Sequence, residues 1–131
     1  MGASSLPGPI PVELVSVIDG DTIAVRAHIW PGLYVDTRVR LAGVDTPETR
    51  RPACEAERST GHEATDFTQA WVTTAQSLTI SEVQLGSFAG RVVAKLHRDT
   101  GEELGEALLS AGLASVYGTD DPWCEAQPES N

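Results

Sequence analysis

Short apolar runs separated by turn-forming residues dominate the first third of the chain. Residues 12–18 (VELVSVI) read as a strand, and Asp19-Gly20 behind them is a two-residue hairpin signal, because glycine tolerates positive φ. The return, 22–29, alternates Ile23, Val25 and Ala27 with more polar neighbours, the period-two pattern of a strand buried on one face. Trp30-Pro31-Gly32 turns the chain, and 34–44 supplies a third strand with Val35, Val39 and Leu41 available for burial. Asp21 falls at the mouth of the first hairpin, where a carboxylate stays accessible.

The period then changes. Residues 49–59 carry arginines and prolines without periodicity and read as a loop. Thr60-Gly-His-Glu63 has the form of a capping box, and Ala64, Phe67, Trp71, Ala75 and Leu78 step by three or four, which predicts a helix over 61–77. Residues 79–85 return to strand, with Ile80, Val83 and Leu85 out of strict phase unless a bulge near Ser81-Glu82 restores it. A turn over 86–90 leads to a fifth strand, 91–97, with Val92, Ala94 and Leu96 on one face. Asp99-Thr-Gly101 turns again into a short helix, 103–111, stopped by Gly112. Three strands, a helix, two strands and a helix is the order of a five-stranded oligonucleotide-binding (OB-fold) Greek-key barrel, an α+β fold with a mainly β core. The barrel domain should span 12–118, between a flexible leader (1–11) and an acidic C-terminal tail (119–131).

The length of 131 residues suits one core and not two. No run approaches the roughly 18 apolar residues of a membrane span, so no membrane partner is expected. The N-terminal residues lack the basic and apolar regions of a signal peptide. Net charge is −10, from nineteen acids against nine Lys plus Arg, which as an average opposes tight binding to phosphates. The distribution is uneven. Arg26, Arg38, Arg40, Arg50, Arg51 and Arg58 cluster in one stretch, whereas eight acids follow position 98. A local basic face on an acidic body predicts modest, salt-sensitive affinity for nucleic acid.

Cys54 and Cys124 are too few for a cysteine zinc site, and no histidine spacing completes one. They are two free thiols or one disulfide; the disulfide would close a loop of roughly 70 residues and stabilise by about 4–5 kcal/mol in the chain-entropy account. The position of Cys124 in an otherwise unanchored terminal segment favours the disulfide. A disulfide in turn favours a secreted or periplasmic setting.

The stretch Arg40-Leu41-Ala42-Gly43-Val44-Asp45-Thr46-Pro47-Glu48 carries the strongest chemical signal. Proline disfavours the helical region for the residue before it, so Thr46 should be extended with its carbonyl in a fixed direction. Two acids three positions apart around that kink suit a hard divalent cation with a general base beside a bound phosphate. Taken alone, the same residues also describe a strand end followed by a charged turn. His28, His62 and His97 share no spacing with one another or with the acids and are read as bystanders. Trp30, Trp71 and Trp123 are read first as packing.

Three separated pieces, Ile18-Asp19-Gly20-Asp21-Thr22, Arg40 to Glu48 and Gly90-Arg91-Val92, together resemble the staphylococcal nuclease-like (thermonuclease-like) family in kind, order and spacing. The likeness runs from about Val15 to Val116. It implies a five-stranded barrel and a calcium-dependent phosphodiesterase, with one Ca2+ and, less readily, Mg2+ or Mn2+. By resemblance Asp21 and Asp45 are carboxylate ligands and the Thr46 carbonyl a third ligand. Glu48 matches the general base, Arg40 and Arg91 the guanidiniums on the scissile phosphate, and Asp19 a supporting carboxylate. The chain departs from the basic members of that family in lacking Lys or Tyr in Ser87-Phe88-Ala89 and in having only Tyr117 after Leu113-Ala114.

The expected function is therefore a monomeric nuclease that hydrolyses DNA and/or RNA, single strands preferred, by in-line water attack, leaving 3′-phosphate ends. The alternative is a catalytically weak or inactive OB-fold module that binds nucleic acid or a protein ligand. The set Arg40, Arg91 and Glu48 weighs against it, because a binder needs no general base.

Overall fold

The computed structural model describes residues 5–86, 90–120 and 122–124. In chain order the elements are β1 (Ser5–Leu6), β2 (Ile10–Asp19), β3 (Thr22–Trp30), β4 (Leu33–Leu41), β5 (Val44–Asp45), α1 (Glu55–Thr73), β6 (Leu78–Leu85), β7 (Arg91–Arg98), α2 (Leu104–Ser110) and β8 (Ser115–Val116). The five long strands close in the order β2-β3-β4-β7-β6, with β6 returning to β2. Every pairing in that ring is antiparallel except β4 with β7, which is parallel. This closed mixed barrel with two helices is the expected OB-type architecture.

Alternation builds the core. Ile23, Val25 and Ala27 of β3, Val39 and Leu41 of β4, Ile80 of β6, and Ala94 and Leu96 of β7 are all buried inside the ring. α2 contributes Leu104 and Leu108, and α1 contributes Ala64, Trp71 and Val72. The bulge expected near Ser81-Glu82 is present: the β6–β7 register shifts between Ser81 and Gln84, and Glu82 takes φ 51°. β2 also loses register between Leu14 and Ser16, which leaves Val15 60% exposed on the outside.

Several boundaries differ from the sequence reading. Residues 5–11, expected within a flexible leader, are largely paired: β1 lies on β6, and β2 begins at Ile10 opposite Ile80. β4 stops at Leu41, because Gly43 (φ 82°) reverses the chain and returns Val44–Asp45 as a separate strand against β8. α1 starts at Glu55, well before the expected capping box. Thr60 is inside the helix, its hydroxyl donating to the Ala56 carbonyl at 2.9 Å. The true cap is Cys54, whose Sγ accepts from the Glu57 amide at 3.4 Å, with Glu55 and Glu57 favourably placed in the positive first turn. No apolar periodicity marks that first turn, so the pattern missed it. Leu78, expected in the helical stripe, belongs to β6. Trp30, read as packing, is 71% exposed at the tip of the β3–β4 hairpin. The turn residues Ser87 to Ala89 and most of the C-terminal tail lie outside the described residues.

Helix α1 lies against the first hairpin with small residues at the contact. The Thr68 hydroxyl, fully buried, donates to the Gly20 carbonyl at 2.7 Å. Glycine is required at position 20 for space and not for positive φ, since a Cβ there would lie 2.8 Å from the Cβ of Ala64.

Thr68→Val keeps the volume but leaves the buried Gly20 carbonyl without its donor, and should cost about 1–3 kcal/mol. An unchanged urea midpoint and slope would contradict this. A second expectation concerns acid. Hydrogen bonding from the Gln76 amide is the main reason that the Asp99 carboxyl is held below its ordinary pKa. Its contribution is complete above the unfolded-state value of about 3.9 and is lost as pH falls through the lower folded value. Urea midpoints should therefore fall more steeply in the wild type than in Asp99→Asn below about pH 4, and parallel curves would refute the linkage.

Candidate active site

Four chain segments meet at one end of the barrel. In the β2–β3 turn Asp19 pairs with Thr22, leaving Gly20 and Asp21 at the corner. Asp21 is fixed on both sides: Oδ1 accepts from the Thr22 hydroxyl at 2.9 Å and Oδ2 from the Thr46 amide at 3.1 Å. Its carbonyl accepts from the Leu41 amide at 2.9 Å, so the hairpin corner is tied to both ends of the β4–β5 turn.

Arg40 lies on the outer face of β4 opposite Thr22. Its Nη1 donates to the Val44 carbonyl at 2.7 Å and the Leu41 carbonyl at 3.1 Å, while Nη2 pairs with Asp45 Oδ1. Asp21 Oδ2 is 3.5 Å from Nη1, so one guanidinium bridges both aspartates. With side-chain exposures of 15% for Arg40 and 13% for Asp21, this cluster is sheltered from water. The Tyr117 ring, 5.9 Å from the Arg40 guanidinium carbon, borders it on the C-terminal side.

These groups open on a cleft of about 270 Å³ lined by Asp19, Asp21, Arg40, Asp45, Thr46, Glu48 and Arg91, every residue that the motifs singled out, together with Arg38 and Arg50. A small recess of about 20 Å³ beside it is lined by Asp19, Asp21, Thr46, Pro47, Glu48 and Thr49. A larger hollow of about 500 Å³ lies elsewhere, but its lining of Glu102, Glu103 and Glu106 beside Phe67 offers no cation to a phosphate. The chemistry favours the smaller cleft. No histidine lines it. His28 bonds Glu13 at 2.6 Å and His97 bonds Ser81 at 3.2 Å.

Burial, followed by the nearby Asp21 charge, raises the Asp19 pKa, with Arg50, Arg40 and Arg91 opposing the shift. The carboxylate residues Asp19, Asp21 and Glu48 line the recess without a histidine or cysteine, a donor set whose chemistry suits a hard divalent cation. Among the described residues no group of three or more His, Cys, Asp or Glu side chains is arranged to hold a metal ion by itself. A cation here would draw on Asp21, Asp45 and the Thr46 carbonyl, and leave positions for water and substrate.

The sequence reading missed what seats the loop that carries Glu48. Glu57, treated as a loop residue, is buried on α1 and accepts from the Glu48 amide at 3.1 Å and the Ala53 amide at 2.6 Å. Cys54-x-x-Glu57 has the spacing of a capping box with sulfur in place of the hydroxyl, so a signal was present in unfamiliar form. Glu57, however, reaches the Ala53 and Glu48 amides and not that of Cys54. One turn on, Gly61 leaves room for the loop, since a Cβ there would lie 2.7 Å from the Pro47 carbonyl oxygen. The Cys54–Cys124 disulfide closes the far end of the loop against the C-terminal segment.

The family model for staphylococcal nuclease homologues matches residues 38–130. The chain belongs to the staphylococcal nuclease homologue family. This family is one of nuclease-like hydrolases, and the matched segment carries Arg40, Asp45, Thr46, Glu48 and Arg91. Asp19 and Asp21 precede the match and reach the same cleft through the β2–β3 hairpin. None of the curated proteins matches this family member. Among the described residues no helix is long and apolar enough to cross a membrane.

Glu57→Ala removes the acceptor for two amides under the loop. We expect a stability loss of about 1.5–3 kcal/mol, the range for hydrogen bonds to a charged group. Amide exchange at Glu48 and Ala53 should accelerate beyond the global change. Unaltered protection at those two amides would exclude this role.

Proposed function

We propose that this family member is a calcium-dependent phosphodiesterase that hydrolyses DNA and/or RNA, leaving 3′-phosphate ends. The observation that carries the reading is the convergence of Arg40, Arg91, Asp21, Asp45, Thr46 and the exposed Glu48 on one cleft. Asp21, Asp45 and the Thr46 carbonyl would hold one calcium ion, with Mg2+ or Mn2+ as poorer substitutes. When bound, the ion would supply neutralisation of phosphate charge and activation of water.

Arg91 and Arg40 donate to the non-bridging oxygens and absorb the charge that builds as phosphorus becomes five-coordinate. Arg40 is held by Asp45 and Asp21, so its donation to a phosphate competes with those carboxylates. Glu48 accepts the proton of the attacking water. The new oxygen–phosphorus bond forms in line with the 5′-oxygen, which departs on the far side and takes a proton from solvent. The 5′-side fragment retains the phosphate at its 3′ end. The narrow cleft suits a single strand better than a duplex. The acidic remainder of the surface makes affinity modest and salt-sensitive. The disulfide favours work in an oxidising compartment, secreted or periplasmic, and the chain acts as a monomer.

Single-stranded and duplex DNA and RNA, incubated at low salt with calcium, magnesium or chelator, test the reading. Cleavage should require calcium, fall with added salt and drop roughly 10²–10⁴-fold in Glu48→Gln. Gel retardation without cleavage in wild type, or full activity in that variant, would discard the catalytic assignment.

A further inference from the structure

The outer face of β4 continues past the cleft. Side chains two apart on a strand share a face at a spacing of about 6.6 Å, a step comparable to that between successive phosphates of an extended strand. Asp36, Arg38 and Arg40 occupy consecutive outward positions of β4. Arg38 lines both the cleft and a separate groove of about 350 Å³ that runs on across the barrel wall. That groove is bounded by Val15, Ala24, Arg26, Asp36, Arg38 and Gly90.

Charge distinguishes the members of this row. Arg40 is bridged by two aspartates, and Arg26 pairs with Asp36 at 3.0 Å. Arg38 is exposed and has no carboxylate within ion-pair distance among the described residues, in a protein of net charge −10. Its backbone is fixed, since its amide and the Thr37 hydroxyl both donate to the Gly90 carbonyl, at 2.9 and 3.2 Å. The β2 bulge turns Val15 outward, placing an apolar surface beside this cation on the groove floor. An unneutralised guanidinium next to an apolar floor matches one nucleotide: phosphate on the cation, base on the hydrocarbon.

We propose that Arg38 and the groove behind it form a binding subsite for the nucleotide adjoining the scissile phosphate. The strand runs along the outer face of β4 from Arg40 to Arg38. Asp36, paired with Arg26, follows at the next outward position and offers a further phosphate no cation, so the subsite holds one nucleotide and stops. This rests on the nuclease reading for its placement of the scissile phosphate at Arg40, but strand binding can be measured without cleavage.

The test compares a dinucleoside monophosphate with trinucleotides extended by one nucleotide at either end. Wild type should prefer one of the two trinucleotides by about ten-fold in kcat/KM, through one added charge-assisted contact. A second added nucleotide on that side should bring little more. Arg38→Ala should reduce the preference to near unity, while Arg58→Ala, on the exposed part of α1, retains it. In parallel, fluorescence anisotropy of a labelled single strand with Glu48→Gln in calcium is compared with Glu48→Gln/Arg38→Ala. The double variant should bind about ten-fold more weakly, with its salt slope reduced by roughly 0.7, one phosphate's worth. A trinucleotide preference that survives in Arg38→Ala, or equal strand affinity of the two anisotropy proteins, overturns the subsite. Should wild type cleave nothing, the nuclease reading fails while the anisotropy comparison still decides the strand path.

Discussion

The close approach of α1 to two backbone segments governs the geometry of this molecule. Glu57, Gly61, Ala64 and Thr68 fall on one face of the helix at steps of three or four, and all four are buried. Ala64 and Thr68 meet the β2–β3 corner at Gly20, while Gly61 and Glu57 meet the loop running from Pro47. Larger side chains at the contact would push the helix outward and separate the two segments it joins. Because the helix lies so near, Asp21 and Thr46, 25 residues apart, come within hydrogen-bond distance. The face that would ordinarily be aliphatic is here made of small and polar residues, because it lies close against the backbone of Gly20 and of the loop from Pro47.

Electrostatics follow from that packing. The surface is acidic as a whole, yet Arg38, Arg40, Arg50 and Arg91 converge on a cleft whose inner wall carries aspartates. Charged groups differ in depth, with the Asp21–Arg40 pair sheltered and Arg38 and Arg50 exposed at the mouth. Such layering concentrates positive charge at the mouth of the cleft although the net charge is negative. It also seats Arg40 between the carboxylates of Asp21 and Asp45.

The C-terminal segment fastens the loop from two directions. β8 pairs with β5 directly before Thr46, and the Tyr117 amide donates to the Gly43 carbonyl at 2.9 Å. Further on, Cys124 bonds Cys54, which is also the cap of α1. The loop with Glu48 is thus bounded by a strand pairing at its start and by a covalent link at its end. Glu48 itself stays exposed on a fixed backbone, an arrangement that suits a group meant to meet solvent-borne substrate.

Alternation in the strands, the Gly-marked turns and the acid–proline motif were determined by sequence alone, because each is local: period two, a reversal of the chain and a restricted φ act over a few residues. They gave the barrel and the bulge at Ser81-Glu82, while the full set of residues that meet in the cleft came from the likeness to the nuclease family. The start of α1 was not legible, since its first turn is stabilised by a sulfur cap and by a buried glutamate bonded to distant amides, neither of which leaves an apolar stripe. Arg38 was visible only as one more basic residue. Its outward direction, its lack of an acid partner and its groove depend on how β2, β4 and Gly90 come together. Sequence set which groups were available; tertiary packing decided which of them face one another, because that depends on how closely non-adjacent backbones approach.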